Sequence, residues 1–273
     1  MIMAIDIGNT NTGIAVVEGK RVLKRESVET GAGTGCYEKR VIKAFSALVS
    51  EERLHGKTGR AKREKRNIKQ SLTNANTAIA AAIICSVVPK ATTVVARCVK
   101  KVFDIVPEVV GKSIIVPIDN QYAQPKQVGQ DRLVCAYAAV ELYGSPAVVV
   151  DLGTAITVDA VSLKKEYLGG MIVPGIRLSA EALYDKTALL PKVEICKPNH
   201  LIGKTTEESI LSGIFYGYGE MIKGLIGLLS KQLKQKPSIV VTGGYSDLMK
   251  KYVSRYRCFV DKDLIYKGMA SLL

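Results

Sequence analysis

The chain has 273 residues, of which 47% are hydrophobic, and it carries a formal net charge of +14 at pH 7. This apolar content excludes a disordered chain and indicates a globular α/β protein with one large domain or two modest ones. No apolar run reaches the roughly 20 residues that cross a bilayer, and the start shows no signal-peptide pattern. We therefore expect a cytoplasmic protein without a membrane partner. Six scattered cysteines without a C-x-x-C pair predict neither a disulfide framework nor a zinc site.

A strand, a tight turn and a second strand are predicted over residues 4–17. The apolar run ends on Asp6, passes through the small polar residues 8–12 and then resumes β-branched alternation. Gly8 and Gly13 would let backbone N–H groups approach a phosphate closely. Because a carboxylate repels phosphate, Asp6 implies a metal ion or a metal-bound water between the two. An ordinary hairpin explains the same residues equally well.

Alternating strands and helices are predicted over the rest of the first half. Short buried runs alternate with segments that have apolar side chains at helical spacing. The predicted elements are a strand at 21–29, a helix at 37–54, a strand at 78–88, a helix at 91–103 and a strand at 114–118. Together they fill a half-domain of about 120 residues, which is within the usual domain size.

The segment 57–69 is strongly basic and accounts for much of the net charge. Such a run makes nucleic acid or an anionic substrate a candidate partner. No aromatic side chain is interleaved for base stacking, and no known nucleic-acid module surrounds the run. We therefore favour a solvated helix or loop over a nucleic-acid interface.

Residues 120–134 join the two halves, as a polar loop followed by a helix predicted at 131–142. The change from loop to helix falls at Gly-Gln-Asp-Arg, residues 129–132. From the residues alone, the favoured interpretation makes Asp131 a helix N-cap and Arg132 its surface partner.

The strand–turn pattern occurs a second time at residues 148–160, where an apolar run again leads to Asp, Gly and Thr. Both copies resemble the phosphate 1 and phosphate 2 motifs of the superfamily of acetate and sugar kinases, Hsp70 and actin. Residues 239–245 are similar to that superfamily's adenosine motif. The resemblance implies an α/β fold of duplicated ribonuclease H-like (actin-like ATPase) domains, at 1–119 and 120–273, with a nucleotide cleft between them.

A narrower resemblance is carried by Gly-x-Asp-Arg at 129–132, placed before the second motif, together with Asp-Ile-Gly-Asn-Thr-Asn-Thr at 6–12. In these elements the chain is similar to the type III pantothenate kinases. Further matches follow in order at 167–175, 179–183, 190–193, 202–206 and 212–217. They cover nearly the whole chain, and the basic segment 57–69 is its least family-like part.

This resemblance implies an enzyme that phosphorylates pantothenate with ATP and Mg²⁺, the first step of coenzyme A biosynthesis. Asp131 would be the general base, and Arg132 would grip the pantothenate carboxylate. The implied ATP-binding residues are Asp6, Ile7, Gly8, Asn9, Thr10, Asn11, Thr12, Gly13 and Thr154, with Asp6 holding Mg²⁺ directly or through water. The implied pantothenate-binding residues are Tyr122, Gly129, Gln130, Asp131, Arg132 and Thr206.

Two of these positions also have ordinary structural explanations. Tyr122 is equally consistent with an ordinary aromatic residue in a loop. Thr206 is equally consistent with the N-cap of the helix that follows it. The residues alone leave both alternatives open.

Asp151 heads the second motif, and its own surroundings suggest a second magnesium ligand or a water-positioning carboxylate. The family resemblance instead implies that Asp151 binds a monovalent cation, K⁺ or NH₄⁺, at the subunit interface of a homodimer. Oxygen ligands suit such a hard ion. A long apolar helix predicted at 210–229 provides either a dimer face or part of the core.

Two other functions compete with this hypothesis. One is a different kinase or a phosphohydrolase of the same superfamily, which would share the phosphate motifs but has no need of residues 129–132. The other is a catalytically silent regulatory or nucleic-acid-binding relative, suggested by the +14 charge. Retention of Asp6, Asp131, Arg132 and Thr154 argues against the silent relative.

Overall fold

The computed structural model describes residues 1–31, 34–49, 79–253 and 258–273. These residues form two compact units, one of residues 1–116 with 265–273 and one of residues 117–264. The basic segment 57–69 lies outside the described residues.

The first unit is built on a five-stranded sheet in the order β3-β2-β1-β4-β5. A meander of three antiparallel strands is followed by two strands that run parallel to β1. The strands are β1 (Ile2–Ile7), β2 (Asn11–Glu18), β3 (Arg21–Glu29), β4 (Ala81–Ser86) and β5 (Glu108–Val109).

Two helices cover one face of this sheet, α1 (Thr34–Val49) and α2 (Pro89–Phe103). Side chains alternate along each strand, so Met3, Ile5 and Ile7 of β1 all point into the core beneath these helices. Asp6 therefore belongs to the opposite face. Pro89 starts α2 because proline tolerates the first helical turn, where its missing N–H has no partner to lose.

The second unit repeats this order as β9-β8-β7-β10-β11, with β6 added beside β9. Again a three-stranded antiparallel meander is extended by two parallel strands. The strands are β6 (Asp119–Asn120), β7 (Ala147–Leu152), β8 (Ala155–Val161), β9 (Glu166–Pro174), β10 (Ser238–Thr242) and β11 (Cys258–Val260). This repetition confirms the predicted α/β fold of duplicated domains.

The helices of the second unit lie on both faces of its sheet. In chain order they are α3 (Gln130–Tyr143), α4 (Ile176–Lys186), α5 (Thr206–Gln232) and α6 (Ser246–Val253). The last helix, α7 (Leu264–Ala270), belongs to the first unit from residue 265 onward. The long helix α5 buries Ile214, Phe215 and Ile222 in the core of its own unit. Of the two roles predicted for this helix, a dimer face or part of the core, the structure shows the second.

The predicted strand at 114–118 is wrong. Ile114 makes only an isolated bridge with Val110, and residues 115–118 belong to no strand. Pro117 has no N–H to donate to a ladder, and the short strand β5 pairs with β4 instead.

Within the described part of the chain, every helix is too short or too polar to cross a membrane.

Candidate active site

The first predicted phosphate motif is a tight turn between β1 and β2. The N–H of Gly8 donates to the carbonyl of Asn11 over 3.0 Å, and Asn9 and Asn11 are exposed. Asp6 is half-buried on β1, where it pairs with Gly13 of β2 and Cys85 of β4. The strand–turn–strand prediction is thereby confirmed, with exposed amide side chains next to a carboxylate.

Thr12 of this motif points into the core instead of toward solvent. Its side chain is fully buried, with its hydroxyl 2.5 Å from the hydroxyl of Tyr37 and 2.9 Å from that of Thr30. Strand alternation explains this orientation, because Thr12 shares a face of β2 with Ile14 and Val16, which pack under α1.

Gly13 lies against a tyrosine from the far end of the chain. A Cβ at residue 13 would overlap the hydroxyl of Tyr266 in α7. The glycine is therefore needed for helix packing in the first unit, on the same face of the sheet as Asp6.

The second phosphate motif is the turn between β7 and β8, where Thr154 is exposed. The carbonyl of Thr154 accepts a hydrogen bond from the N–H of Gly175 at 3.0 Å. A Cβ at residue 175 would collide with the backbone of Gly153 and Thr154. Gly175, which directly follows β9, thus lets the backbone pass close to the turn and stabilises it by this hydrogen bond.

Strand alternation places Asp151 and Asp159 on one face of the second sheet. Val148, Val150 and Leu152 of β7 pack into the core on the other face, so Asp151 faces away from them. Helix α3 packs against β7 and β8, with Asp131 in its first turn. Three carboxylates consequently lie near one another.

The loop-to-helix boundary was predicted correctly, but Asp131 is not the N-cap. Gly129 occupies the N-cap position, and Asp131 lies in the first helical turn with its Oδ1 accepting the N–H of Arg132 at 2.9 Å. A Cβ at residue 129 would overlap this carboxylate, so glycine leaves room for it. Gln130 is the first helical residue, and it is half-buried like Asp131.

Arg132 is buried and pairs with a residue that the sequence analysis did not single out. Its Nε donates to both carboxylate oxygens of Asp159, at 3.1 and 3.3 Å, and its Nη2 donates to Oδ1 at 2.5 Å. The hydroxyl of Tyr167 donates to the same Oδ1 at 2.8 Å. The interpretation of Arg132 as a surface partner of Asp131 is therefore wrong.

Tyr122 stands close to this pair. Its ring packs on Gly169, which has φ +110°, a backbone conformation that favours glycine. Its backbone N–H donates to the side chain of Asn120 at 3.1 Å. Tyr122 is half-buried, and its phenol is near enough to Arg132 to affect the guanidinium electrostatically.

The charges in this part of the second unit are strongly coupled. Burial raises the pKa of Asp151 to about 7, and repulsion by Asp131 and Asp159 contributes to the rise. Burial also raises the pKa of Asp131, although Arg132 opposes the rise. Burial alone would lower the pKa of Arg132, but the hydrogen bonds and charge of Asp159 outweigh it and the pKa is raised.

The third predicted motif ends β10 at Gly243 and Gly244, before α6. Gly243 has φ +88°, and a Cβ there would overlap Asp151 Oδ1 and the backbone of Leu152. No atom would obstruct a Cβ at Gly244. The first glycine of the pair therefore lets β10 approach Asp151, while the second lies beside open space.

Thr206 is exposed in the first turn of α5 and does not cap it. The N-cap is Thr205, whose hydroxyl accepts the N–H of Glu208 at 3.2 Å, while Glu208 accepts the N–H of Lys204 at 2.8 Å. This arrangement resembles a capping box, except that Glu208 accepts the N–H of the residue before the N-cap and not that of the N-cap itself. The N-cap interpretation of Thr206 is wrong by one residue.

The structure thus brings Tyr122, Asp131, Arg132 and Asp151 together within the second unit, while residues 6–13 lie in the first unit. No three His, Cys, Asp or Glu side chains among the described residues form a group that could hold a metal ion by themselves. A cation at Asp6 or Asp151 would need further oxygen ligands from substrate, water or backbone.

Asp159 was not among the site residues predicted from the sequence, and Tyr167 had no predicted role. A signal for Asp159 was present, because a carboxylate inside the apolar run 155–161 must be paired if that run is a buried strand. The partner could not be read from the sequence, since Arg132 is 27 residues away.

A sequence profile of the type III pantothenate kinases matches residues 2–227. A type III pantothenate kinase from Bacillus cytotoxicus is 34% identical over 272 residues, which cover 100% of this chain and 95% of the relative.

Two solved structures share the fold at low sequence identity. A Campylobacter jejuni protein assigned to the Baf family of transcriptional activators has a TM-score of 0.56 and 19% identity, with 99% of this chain and 96% of that one covered. Component A of (R)-2-hydroxyglutaryl-CoA dehydratase from Acidaminococcus fermentans has a TM-score of 0.52 and 13% identity, with 99% and 95% covered.

The profile match and the full-length relative, added to the duplicated fold and the carboxylate–arginine site, identify the family. The chain belongs to the type III pantothenate kinases.

Proposed function

We propose that this chain transfers the γ-phosphoryl group of ATP to the primary hydroxyl of pantothenate, which gives 4′-phosphopantothenate and ADP in the first step of coenzyme A biosynthesis. Membership of the type III pantothenate kinases supports the reaction. The observation that carries the mechanism is the grouping of Asp131 with the buried Arg132–Asp159 pair at the start of α3.

Asp131 would act as the general base. Its carboxylate would accept the hydroxyl proton while the oxygen forms a bond to the γ-phosphorus and the bond from phosphorus to the bridging oxygen of ADP breaks. The half-buried position of Asp131 supports this role, because burial raises its pKa and makes the carboxylate a stronger base.

Arg132 would bind the pantothenate carboxylate. A guanidinium has five N–H groups, and the Nε and Nη2 atoms that face Asp159 leave the Nη1 side of the group for a second carboxylate. Tyr122, Gly129, Gln130 and Thr206 would complete the pantothenate pocket, as the family resemblance implies.

ATP would be held by residues 6–13 of the first unit, where the buried Thr12 would support the turn from within the core, and by Thr154 of the second. The exposed Asn9 and Asn11 and the backbone of the turn offer donors to phosphate. Asp6 suits Mg²⁺, which commonly takes one or two protein carboxylates and completes its shell with water and substrate phosphates. The ion would neutralise phosphate charge during transfer. That both turns contact one ATP molecule remains a prediction from the sequence, as does a cytoplasmic location.

Asp151 would bind K⁺ or NH₄⁺. A cation suits this site for an electrostatic reason. Burial and the neighbouring carboxylates raise the pKa of Asp151 to about 7, and a bound cation would stabilise the ionised carboxylate.

The active form would be a homodimer. Large apolar side chains exposed along β9, α4 and the segment that follows support this proposal, because burial of apolar surface drives protein association. They are Leu168, Ile172, Leu178, Tyr184, Leu189, Leu201 and Ile202. Sedimentation equilibrium of the purified protein tests it, and a monomer at micromolar concentration would contradict it.

The function is tested by following ADP release from ATP and Mg²⁺ with pantothenate, with and without K⁺, and by identifying the product by mass spectrometry. We expect K⁺-dependent formation of phosphopantothenate. Turnover of glucose or glycerol but not pantothenate would favour another kinase of the superfamily. Absence of turnover combined with salt-dependent DNA binding would favour the silent relative.

A further inference from the structure

We infer that Asp159 is a positioning residue that holds Arg132 in the orientation required to bind the substrate carboxylate. This inference rests on the proposed phosphorylation of pantothenate and adds a residue to which neither the sequence motifs nor the comparisons assign a role. Asp159 itself would not touch the substrate.

The geometry of the Arg132–Asp159 pair fixes the guanidinium. Asp159 is 1% exposed and Arg132 is 9% exposed, so solvent cannot compete for their hydrogen bonds. Three donor–acceptor distances of 2.5 to 3.3 Å connect the guanidinium to the carboxylate. Such a two-pronged contact restricts both the position and the plane of the guanidinium.

The surroundings hold Asp159 itself in place. The hydroxyl of Tyr167 donates to Oδ1 at 2.8 Å. Asp159 is paired with Gly170 across β8 and β9, and a Cβ at residue 170 would overlap the carboxylate. The guanidinium carbon of Arg132 also lies 5.9 Å from the centroid of the Tyr167 ring. The carboxylate thus has little freedom to move, and it transmits that restriction to the arginine.

The pair with Asp159 leaves some N–H donors of the Arg132 guanidinium for a substrate. Asp159 takes Nε and one side of Nη2, while the Nη1 edge of the guanidinium can still form two parallel hydrogen bonds to another carboxylate. A buried ion pair is weak support for stability, because desolvation offsets much of its attraction. The geometry of this pair is better suited to holding the Arg132 guanidinium ready to bind a substrate than to stabilising the fold.

The test is steady-state kinetics of Asp159→Asn. An amide offers only one acceptor to the guanidinium and turns an N–H toward the remaining donors, so Arg132 should lose its fixed orientation. Because a small misplacement of a binding group has large kinetic effects, we expect the KM for pantothenate to rise by about tenfold or more. The kcat and the KM for ATP should stay within about threefold of wild type.

A double-mutant cycle shows whether Asp159 acts through the arginine. If it does, Asp159→Asn should raise the KM for pantothenate in the wild-type background but add nothing in the Arg132→Ala background. Additive effects of the two substitutions would overturn the inference.

Two further variants separate positioning from folding. Tyr167→Phe removes one hydrogen bond to Asp159 and should raise the same KM by a smaller factor. The matched control is Asp261→Asn, which disturbs a comparable buried pair, since the hydroxyl of Tyr143 donates to Asp261 at 2.7 Å. Tyr143 is about 18 Å along α3 from Asp131 at 1.5 Å per residue, so this control should lower stability and leave the KM unchanged.

The outcomes separate a failure of the proposed function from a failure of the positioning role. A wild-type protein that does not phosphorylate pantothenate refutes the proposed function. An active wild type whose Asp159→Asn and Tyr167→Phe variants keep the wild-type KM refutes only the positioning role. If Asp159→Asn does not fold, the KM of Tyr167→Phe relative to that of Asp261→Asn decides the question.

Discussion

Gly170 lies directly opposite Asp159 in the antiparallel pair of β8 and β9, where a side chain would occupy the space of the Asp159 carboxylate. The added Cβ would also collide with the carbonyl of Val158. One glycine in the middle of β9 therefore makes room for the buried acid that pairs with Arg132.

Gly170→Ala should destabilise the protein and weaken pantothenate binding together. Because backbone atoms of β8 must move to admit the methyl group, we expect a loss of about 1–3 kcal/mol in the free energy of unfolding. The KM for pantothenate should rise. Denaturant unfolding and steady-state kinetics measure the two effects. Gly224→Ala is the control, since a Cβ there meets nothing within 4 Å, and it should stabilise helix α5 by up to about 1 kcal/mol.

Asp131→Asn should abolish most activity without loss of stability. Removing a general base typically costs about 10²–10⁴-fold in rate. Burial raises the pKa of Asp131 and the charge of Asp159 adds to the rise, so a neutral amide removes an unfavourable charge. We expect a lower kcat and a melting temperature at or above that of wild type. A variant that keeps near wild-type kcat would exclude Asp131 as the base.

Asp151→Asn should stabilise the cation-free protein in a pH-dependent way. Asp151 has a pKa of about 7 in the folded state, against about 3.9 in an unfolded chain. The folded state therefore binds this proton more tightly, and the carboxylate reduces stability progressively as pH rises from about 4 to about 7. The difference between variant and wild type should be small near pH 4 and reach up to about 4 kcal/mol above pH 7.

Urea unfolding at a series of pH values in a buffer free of K⁺ and NH₄⁺ measures this difference. Added K⁺ should stabilise wild type at pH 8 and have less effect on the variant, because a bound cation favours the ionised carboxylate. A gap between the two proteins that does not change from pH 4 to pH 8 would contradict the assigned pKa.

Thr12→Val should affect stability more than ATP binding. Thr12 is buried and its hydroxyl contacts Tyr37 at 2.5 Å, so valine leaves polar groups without a partner. We expect a loss of about 1–3 kcal/mol in the free energy of unfolding. Tyr37→Phe, which breaks the same hydrogen bond from the other side, should cost a similar amount. If Thr12→Val instead raises the KM for ATP strongly and Tyr37→Phe does not, Thr12 contacts the nucleotide.

Much of the fold follows from local patterns in the sequence. The two strand–turn–strand motifs and the helix that starts at residue 130 are where the periodicity and the glycines predict them. The predictions were wrong where tertiary contacts determine whether a short segment forms a strand. The predicted strand at 114–118 failed because two residues at 108–109 make the pairing with β4.

The sequence by itself determined the duplicated α/β fold, the family, and the positions of Asp6, Asp131 and Asp151, because turns, strand alternation and helix starts depend on residues that are close in the chain. Only the tertiary structure decided that Arg132 pairs with Asp159, that Thr12 is buried and that Gly170 accommodates a carboxylate. Each of these facts depends on which residues of separate strands and helices come into register, and that register is set by the packing of the whole unit.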